Sequence, residues 1–299
     1  MESISTHEPL LQHSQGEKDF GSIKQTNGQH KNPNETAAKD EMPGQGGNSE
    51  KYNTWVRPVI AEFFGQLIFA FLHCSSVNTM KSISPTPNPL IPAVSDGFVV
   101  AILVITIGHI SGAHVNFAVT TAAFIGGGIK LPMALLYLVA QLLGSLTGAG
   151  LAYVSSGGAF GQFGLGAGVG VGQGVLMEVV LTSLLTLSVL LAAVELNSTN
   201  AAFAIGFSIL IDILAGFNIS GACMNPTLSF GPAVVSGSWN NYWVYWVGPL
   251  VGALVSGTLF RIFLGGPARL IFKQDQSQEN NESSMEKAST LDTVTNSRM

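Results

Sequence analysis

Seven residues, Ile110-Ser-Gly-Ala-His-Val-Asn116, return as Ile219-Ser-Gly-Ala-Cys-Met-Asn225 at an offset of 109. Tyr137-Leu-Val-Ala-Gln-Leu-Leu-Gly144 returns as Tyr245-Trp-Val-Gly-Pro-Leu-Val-Gly252 at an offset of 108, and Ala61-Glu62 pairs with Met177-Glu178. Such self-similarity means one structural unit built twice. Each unit holds three apolar runs near the roughly 20 residues that a bilayer-crossing helix needs. They read as Val56 to Val77, Ile91 to Ile110 and Leu131 to Tyr153, then Gly174 to Val194, Ala201 to Phe217 and Tyr242 to Leu264. Three is odd, so the second unit must enter the membrane upside down relative to the first. Inverted repeats place their shared site at the bilayer midplane. The fold class expected is therefore an all-α membrane protein of six transmembrane helices with two further re-entrant segments.

Composition supports that reading and excludes others. Only 10% of the 299 residues are charged and 46% are hydrophobic, far from the one-quarter charged content of soluble domains. The charge collects at the ends, which gives three regions: a disordered tail over 1–52, a channel domain over 53–272 and a second disordered tail over 273–299. The start shows no basic segment followed by an apolar one, so the first span is expected to do the targeting. A net charge of −5 without a basic block argues against nucleic acid as a partner. Cys74 and Cys223 are too sparse for a disulfide framework or a metal site, and no cofactor is expected. The sequons at Asn34, Asn197, Asn218 and Asn281 fall in tails, in a short loop on the tail side, or in a pore loop.

Orientation follows the basic residues beside the spans. Lys51, Arg57, Lys130, Arg261, Arg269 and Lys273 fall on one side and Lys81 alone on the other. Both termini are expected in the cytosol, with the plasma membrane as the default location.

The two stretches between the second and third spans of each half carry the chemistry. Each runs through a glycine-containing turn into an asparagine, a favoured N-cap, and then into a short helical pattern: Asn116-Phe117-Ala118 and Asn225-Pro226-Thr227. Pro226 sits at the first helical position, where its missing N–H costs nothing. Two half-helices arriving from opposite faces would aim two positive ends, about half a charge each, at one central point. That point would repel cations while the asparagine amides donate to a passing oxygen. Irregular backbone at this depth is tolerated only inside protein or along a cavity. Gly112, Ala113 and His114, with Cys223 and Met224, are therefore expected to line the path with backbone.

These segments resemble the two Asn-Pro-Ala boxes of the aquaporins, the major intrinsic proteins. The resemblance runs from about Val56 to Phe272 and includes Glu62, Glu178, Tyr137 and Gln141. Asp212-Ile-Leu-Ala-Gly216 and Gly221-Ala-Cys-Met-Asn-Pro226 look most like the aquaporin-8 branch, which is associated with water, ammonia and hydrogen peroxide. The resemblance implies a homotetramer and gives Glu62 and Glu178 the task of holding the pore loops. It places the selectivity filter at Asp96, Ile213, Ala222 and Leu228. Here the chain departs from the family. Phe117 stands where the first box usually has proline, Thr227 where the second has alanine, and Leu228 where an arginine usually narrows the far mouth. A wider, less basic mouth is the expectation, acidic if Asp96 faces it. A position in the first turn of its helix, in interfacial water, is the other reading of Asp96.

Intramembrane carboxylates are functional candidates by default. The repeat equivalence of Glu62 and Glu178 points instead to structure, and no catalytic residue is assigned. His109 and His114 have no partner at metal-ligand spacing, and His73 carries no reading of its own. The run Gly157 to Gly174 lacks the Lys-Ser/Thr of a phosphate loop and reads as a connection on the far side. The function expected is passive transport of water or small uncharged solutes such as ammonia, hydrogen peroxide, urea or glycerol. The alternatives are a wide, weakly cation-conducting pore and a non-conducting junctional protein, for which Phe117 could supply the plug.

Overall fold

A computed structural model describes residues 49–83, 86–158 and 161–266. Both tails, with the sequons at Asn34 and Asn281, lie outside the described residues. Eight helices follow in order: α1 (Arg57–Ile83), α2 (Leu90–Ser111), α3 (Phe117–Ile125), α4 (Leu131–Ser155), α5 (Val171–Ser188), α6 (Ala201–Ser220), α7 (Pro226–Ser236) and α8 (Val244–Leu259). Wider π-type turns extend α1 backward over Tyr52–Val56, and α5 and α8 onward over Val189–Glu195 and Phe260–Leu264. Six of the resulting rods are long and apolar enough to cross a bilayer, while α3 and α7, with 9 and 11 residues, are not. An even number of crossings puts 49 and 266 on one face, called the tail face below; the opposite one is the far face.

Local sequence explains most boundaries. Pro132 sits in the first turn of α4 and Pro226 begins α7, where proline's fixed φ suits a helix start. Both α2 and α6 end on a glycine in the left-handed region, Gly112 at φ 88° and Gly221 at φ 85°. That conformation stops the helix and turns the chain inward, and glycine adopts it without a Cβ penalty. Large apolar side chains such as Phe64, Ile102, Leu143, Phe207 and Leu254 face outward, as a lipid-facing surface requires.

Packing repeats the sequence symmetry. Helix α1 packs on α2 and α4 as α5 packs on α6 and α8, and α2 meets α6 between the halves. Each half-helix packs on the last helix of the other half, α3 on α8 and α7 on α4. The halves therefore interlock. Close crossings rest on small residues: a Cβ at Gly148 would run into the Leu67 carbonyl of α1, and one at Gly252 would lie 2.6 Å from the Val179 carbonyl of α5.

Candidate pore

The loops 112–116 and 221–225 are built alike. Ala113, Val115, Ala222 and Met224 all have positive φ, between 38° and 53°, a region that costs non-glycine residues on the order of 1–3 kcal/mol each. Such a backbone persists only if its surroundings over-determine it. Glu62 and Glu178 do so from α1 and α5. Glu62 Oε1 accepts from the backbone N–H of His114 at 2.9 Å and from the Ser111 hydroxyl at 2.6 Å. Its Oε2 accepts from Val115 N–H at 2.7 Å and from Gln141 Nε2 at 2.8 Å. Glu178 accepts from the backbone at Cys223 N–H, 2.9 Å, and Met224 N–H, 2.7 Å, with the Ser220 side chain beside it as Ser111 is beside Glu62. Tyr137 and Tyr245 donate to the carbonyls of Ser111 and Ser220 at 2.8 and 2.9 Å. Neither glutamate has a group placed for acid/base work; each is a clamp.

The asparagines meet at the centre. Asn116 Oδ1 caps α3 by accepting from Ala118 N–H at 2.8 Å, and Asn225 Oδ1 caps α7 through Thr227 and Leu228 at 3.2 and 3.0 Å. Their amide nitrogens cross over: Asn116 Nδ2 donates to Met224 O at 2.9 Å and Asn225 Nδ2 to Val115 O at 2.8 Å. An amide carries two hydrogens, so one locks the two loops and the second remains for an occupant of the path. Gln141 ties both half-helices together, donating to Thr120 at 3.2 Å and lying 3.4 Å from the Thr227 hydroxyl.

Two cavities adjoin this junction, and Asn116 lines both. The one on the tail side, about 40 Å³, is bounded by the loop from Gly112 to Asn116 and by apolar side chains including Val104, Val189 and Ile205. The one on the far side, about 20 Å³, is bounded by Asp96, Ile213, Ala222, Cys223, Met224 and Leu228. Each has room for water-sized occupants, since one water needs about 10–15 Å³ measured this way. Beyond the second lies a vestibule of about 540 Å³ between the loop 162–167 and the ends of α1 and α6. His114 bonds Thr120 through Nδ1 at 3.1 Å and lines the tail-side cavity. Phe117 lines neither cavity.

Asp96, Ile213, Ala222 and Leu228 thus come together at the far mouth, and one expectation there needs correction. Helix α2 begins at Leu90, so Asp96 lies in its second turn, 2% exposed and not in interfacial water. Its Oδ2 lies 2.7 Å from Nδ1 of His73, a residue on which the sequence carries no local reading. Phe163, from the glycine-rich connection, stacks on His73 with ring centroids 4.6 Å apart and lines both the cavity and the vestibule. An aromatic ring bounds the mouth that loses arginine at Leu228. A signal for His73 did exist, because consecutive antiparallel helices bring the end of α1 beside the start of α2. No local signal marks Phe163.

Among the described residues no cluster could hold a metal ion. Both cysteines are free thiols and buried, and His109 is exposed on α2.

Half-helices meeting tip to tip between water-sized cavities, inside a six-span bundle, define a passive membrane channel. The major intrinsic protein family model matches residues 49–260. Aquaporin-8 of Notomys alexis is 41% identical over 234 residues, 74% of this chain and 88% of that protein. Aquaporin TIP1-2 of Zea mays is 43% identical over 220 residues, 70% of this chain and 87% of that one. An aquaglyceroporin from Plasmodium falciparum shares the fold with a TM-score of 0.62 at 22% identity, covering 69% of this chain and 95% of that one. The chain belongs to the major intrinsic protein family, the aquaporins, and is a passive channel for water or small solutes and not an enzyme.

Proposed function

We propose that this channel passes water and water-sized neutral solutes in single file, and that Asn116 and Asn225 are its central donors and Asp96, Ile213, Ala222, Leu228 and Phe163 its far-face filter. The reciprocal bonding of the two asparagines at the junction of two cavities carries this reading. A passing oxygen there meets the spare hydrogen of each amide and the positive ends of α3 and α7, while an ion meets a field it cannot cross without losing its hydration. Similarity to aquaporin-8 and the basic residues of the tail face support an integral membrane homotetramer with both tails in the cytosol and the far face outside. The plasma membrane is the location proposed.

Purified protein in liposomes, shrunk against osmolytes of graded size with current recorded in parallel, tests the reading. Water and hydrogen peroxide are expected to cross faster than in protein-free liposomes, with glycerol excluded and no current. Absence of excess water flux would overturn it. A measurable current would favour the weakly cation-conducting alternative, which Asp96 beside Leu228 gives a physical basis.

A further inference from the structure

Among the described residues, the far face exposes one charged side chain, and it stands over the entrance to the path. Lys81, in the last turn of α1, is the only Lys or Arg that the topology puts on that face, and the connections 84–89, 156–170 and 237–243 hold no Asp or Glu. Lys81 lines the vestibule of about 540 Å³, a volume within the roughly 300–1,000 Å³ of small-molecule sites. The filter cavity below it, about 20 Å³, is water-sized. Val77 and Met80 of α1, Leu165 of the connection and Phe217 of α6 give the vestibule apolar walls, and Gln162 and Asn218 give it amides. The connection is held in place: Gly166 N–H donates to Ile219 O at 2.9 Å, Gln162 Nε2 donates to Ser238 Oγ at 3.1 Å, and Phe163 stacks on His73. A site already ordered costs a guest little to enter. Phe163 lines both the vestibule and the filter cavity, so a guest resting on its ring covers the mouth. A cation would be repelled by Lys81, a neutral apolar guest would leave the ammonium unused, and an inorganic anion would leave the apolar walls unfilled. One carboxylate on an apolar body of benzene size uses both features.

We propose that the far-face vestibule binds one small amphipathic monocarboxylate, its carboxylate on Lys81 and its body against Met80, Leu165 and Phe217, and that the bound anion caps the path and stops water without crossing. The inhibition rests on the reading that the path carries water; the binding site does not. An anion of this size is too large for the filter cavity, so it stays at the level of Phe163.

The full chain in liposomes near neutral pH, with the same sodium salt on both sides and a sucrose pulse, provides the test, with protein-free liposomes in each salt as background. Replacing chloride by benzoate is expected to cut water permeability by about half when benzoate equals its dissociation constant. Benzyl alcohol, the same body without the charge, and inorganic phosphate, charge without the body, should leave the flux at its chloride level. Lys81→Gln should abolish the benzoate block, and Lys81→Arg, which keeps the charge, should retain it. Thermal unfolding in detergent gives a readout independent of flux: benzoate should raise Tm of the natural chain and of Lys81→Arg, and leave that of Lys81→Gln unchanged. Equal flux and equal Tm in benzoate and chloride, an equal block by benzyl alcohol or phosphate, or a block that persists in Lys81→Gln would overturn the proposal. A Lys81-dependent Tm shift in a chain that passes no water would sink the water-channel reading and leave the anion site standing.

Discussion

The two pore loops solve one problem by different means. Loop 221–225 runs into Pro226, whose ring sets φ at the helix start, and its glutamate accepts two backbone N–H groups. Loop 112–116 runs into Phe117, which fixes nothing, and its glutamate accepts four hydrogen bonds, two of them from the side chains of Ser111 and Gln141. Positive φ values and the crossed asparagines are nonetheless nearly the same in both. A strained backbone can be held by covalent restriction or by a carboxylate that gathers more donors, with the same outcome.

If that comparison is right, the glutamates are unequal. Glu62→Ala, which orphans two backbone and two side-chain donors, should cost about 4–12 kcal/mol, and Glu178→Ala, which orphans two backbone donors, about 2–6 kcal/mol, at roughly 1–3 kcal/mol for each donor left unsatisfied. Thermal unfolding of the two purified variants checks the order, and equal losses would remove the distinction. The caps come next. Asn225→Ala should destabilise by about 1–2 kcal/mol, more than Asn116→Ala, because Asn225 Oδ1 also accepts from the Thr227 hydroxyl at 2.8 Å. Both variants should also lower water flux in liposomes.

A third variant moves the comparison to the mouths. Phe163→Ala should admit glycerol severalfold faster while changing Tm little, since the ring bounds the mouth and the loop keeps its backbone bond from Gly166 to Ile219. Unchanged glycerol exclusion would show that Ile213 and Leu228 suffice. The smallest effect belongs to Phe117→Pro. Asn116 is already extended at φ −166° and ψ 125°, as a residue before proline prefers. The substitution should therefore stabilise by about 0.4–1 kcal/mol, seen as a small rise in Tm; a fall would mean that the Phe117 side chain matters to the packing of α3.

Much of this was legible in the chain. The six spans, the inversion, both asparagine caps and the paired glutamates come from periodicity, composition and a repeat, all local or nearly so. The far mouth was legible only in part. Asp96, Ile213, Ala222 and Leu228 could be placed by the resemblance to the aquaporins, but their surroundings could not. A lone histidine on an apolar helix, as His73 is, says nothing until its neighbour is known. Phe163 lies in a glycine-rich connection whose course depends on close contacts with two other elements: a Cβ at Gly161 would meet Val77 of α1, and one at Gly166 would meet the Asn218 carbonyl of α6.

By itself the sequence determined the class of fold and the central donors, because a bilayer leaves the backbone few ways to satisfy its hydrogen bonds and a repeat of three spans must invert. The tertiary structure alone decided the far mouth: which ring bounds it where arginine is missing, and that a buried aspartate there holds a histidine by one oxygen and nothing by the other. Those outcomes depend on side chains from α1, α2 and a loop after α4 meeting at one point, and no spacing along the chain encodes that distance.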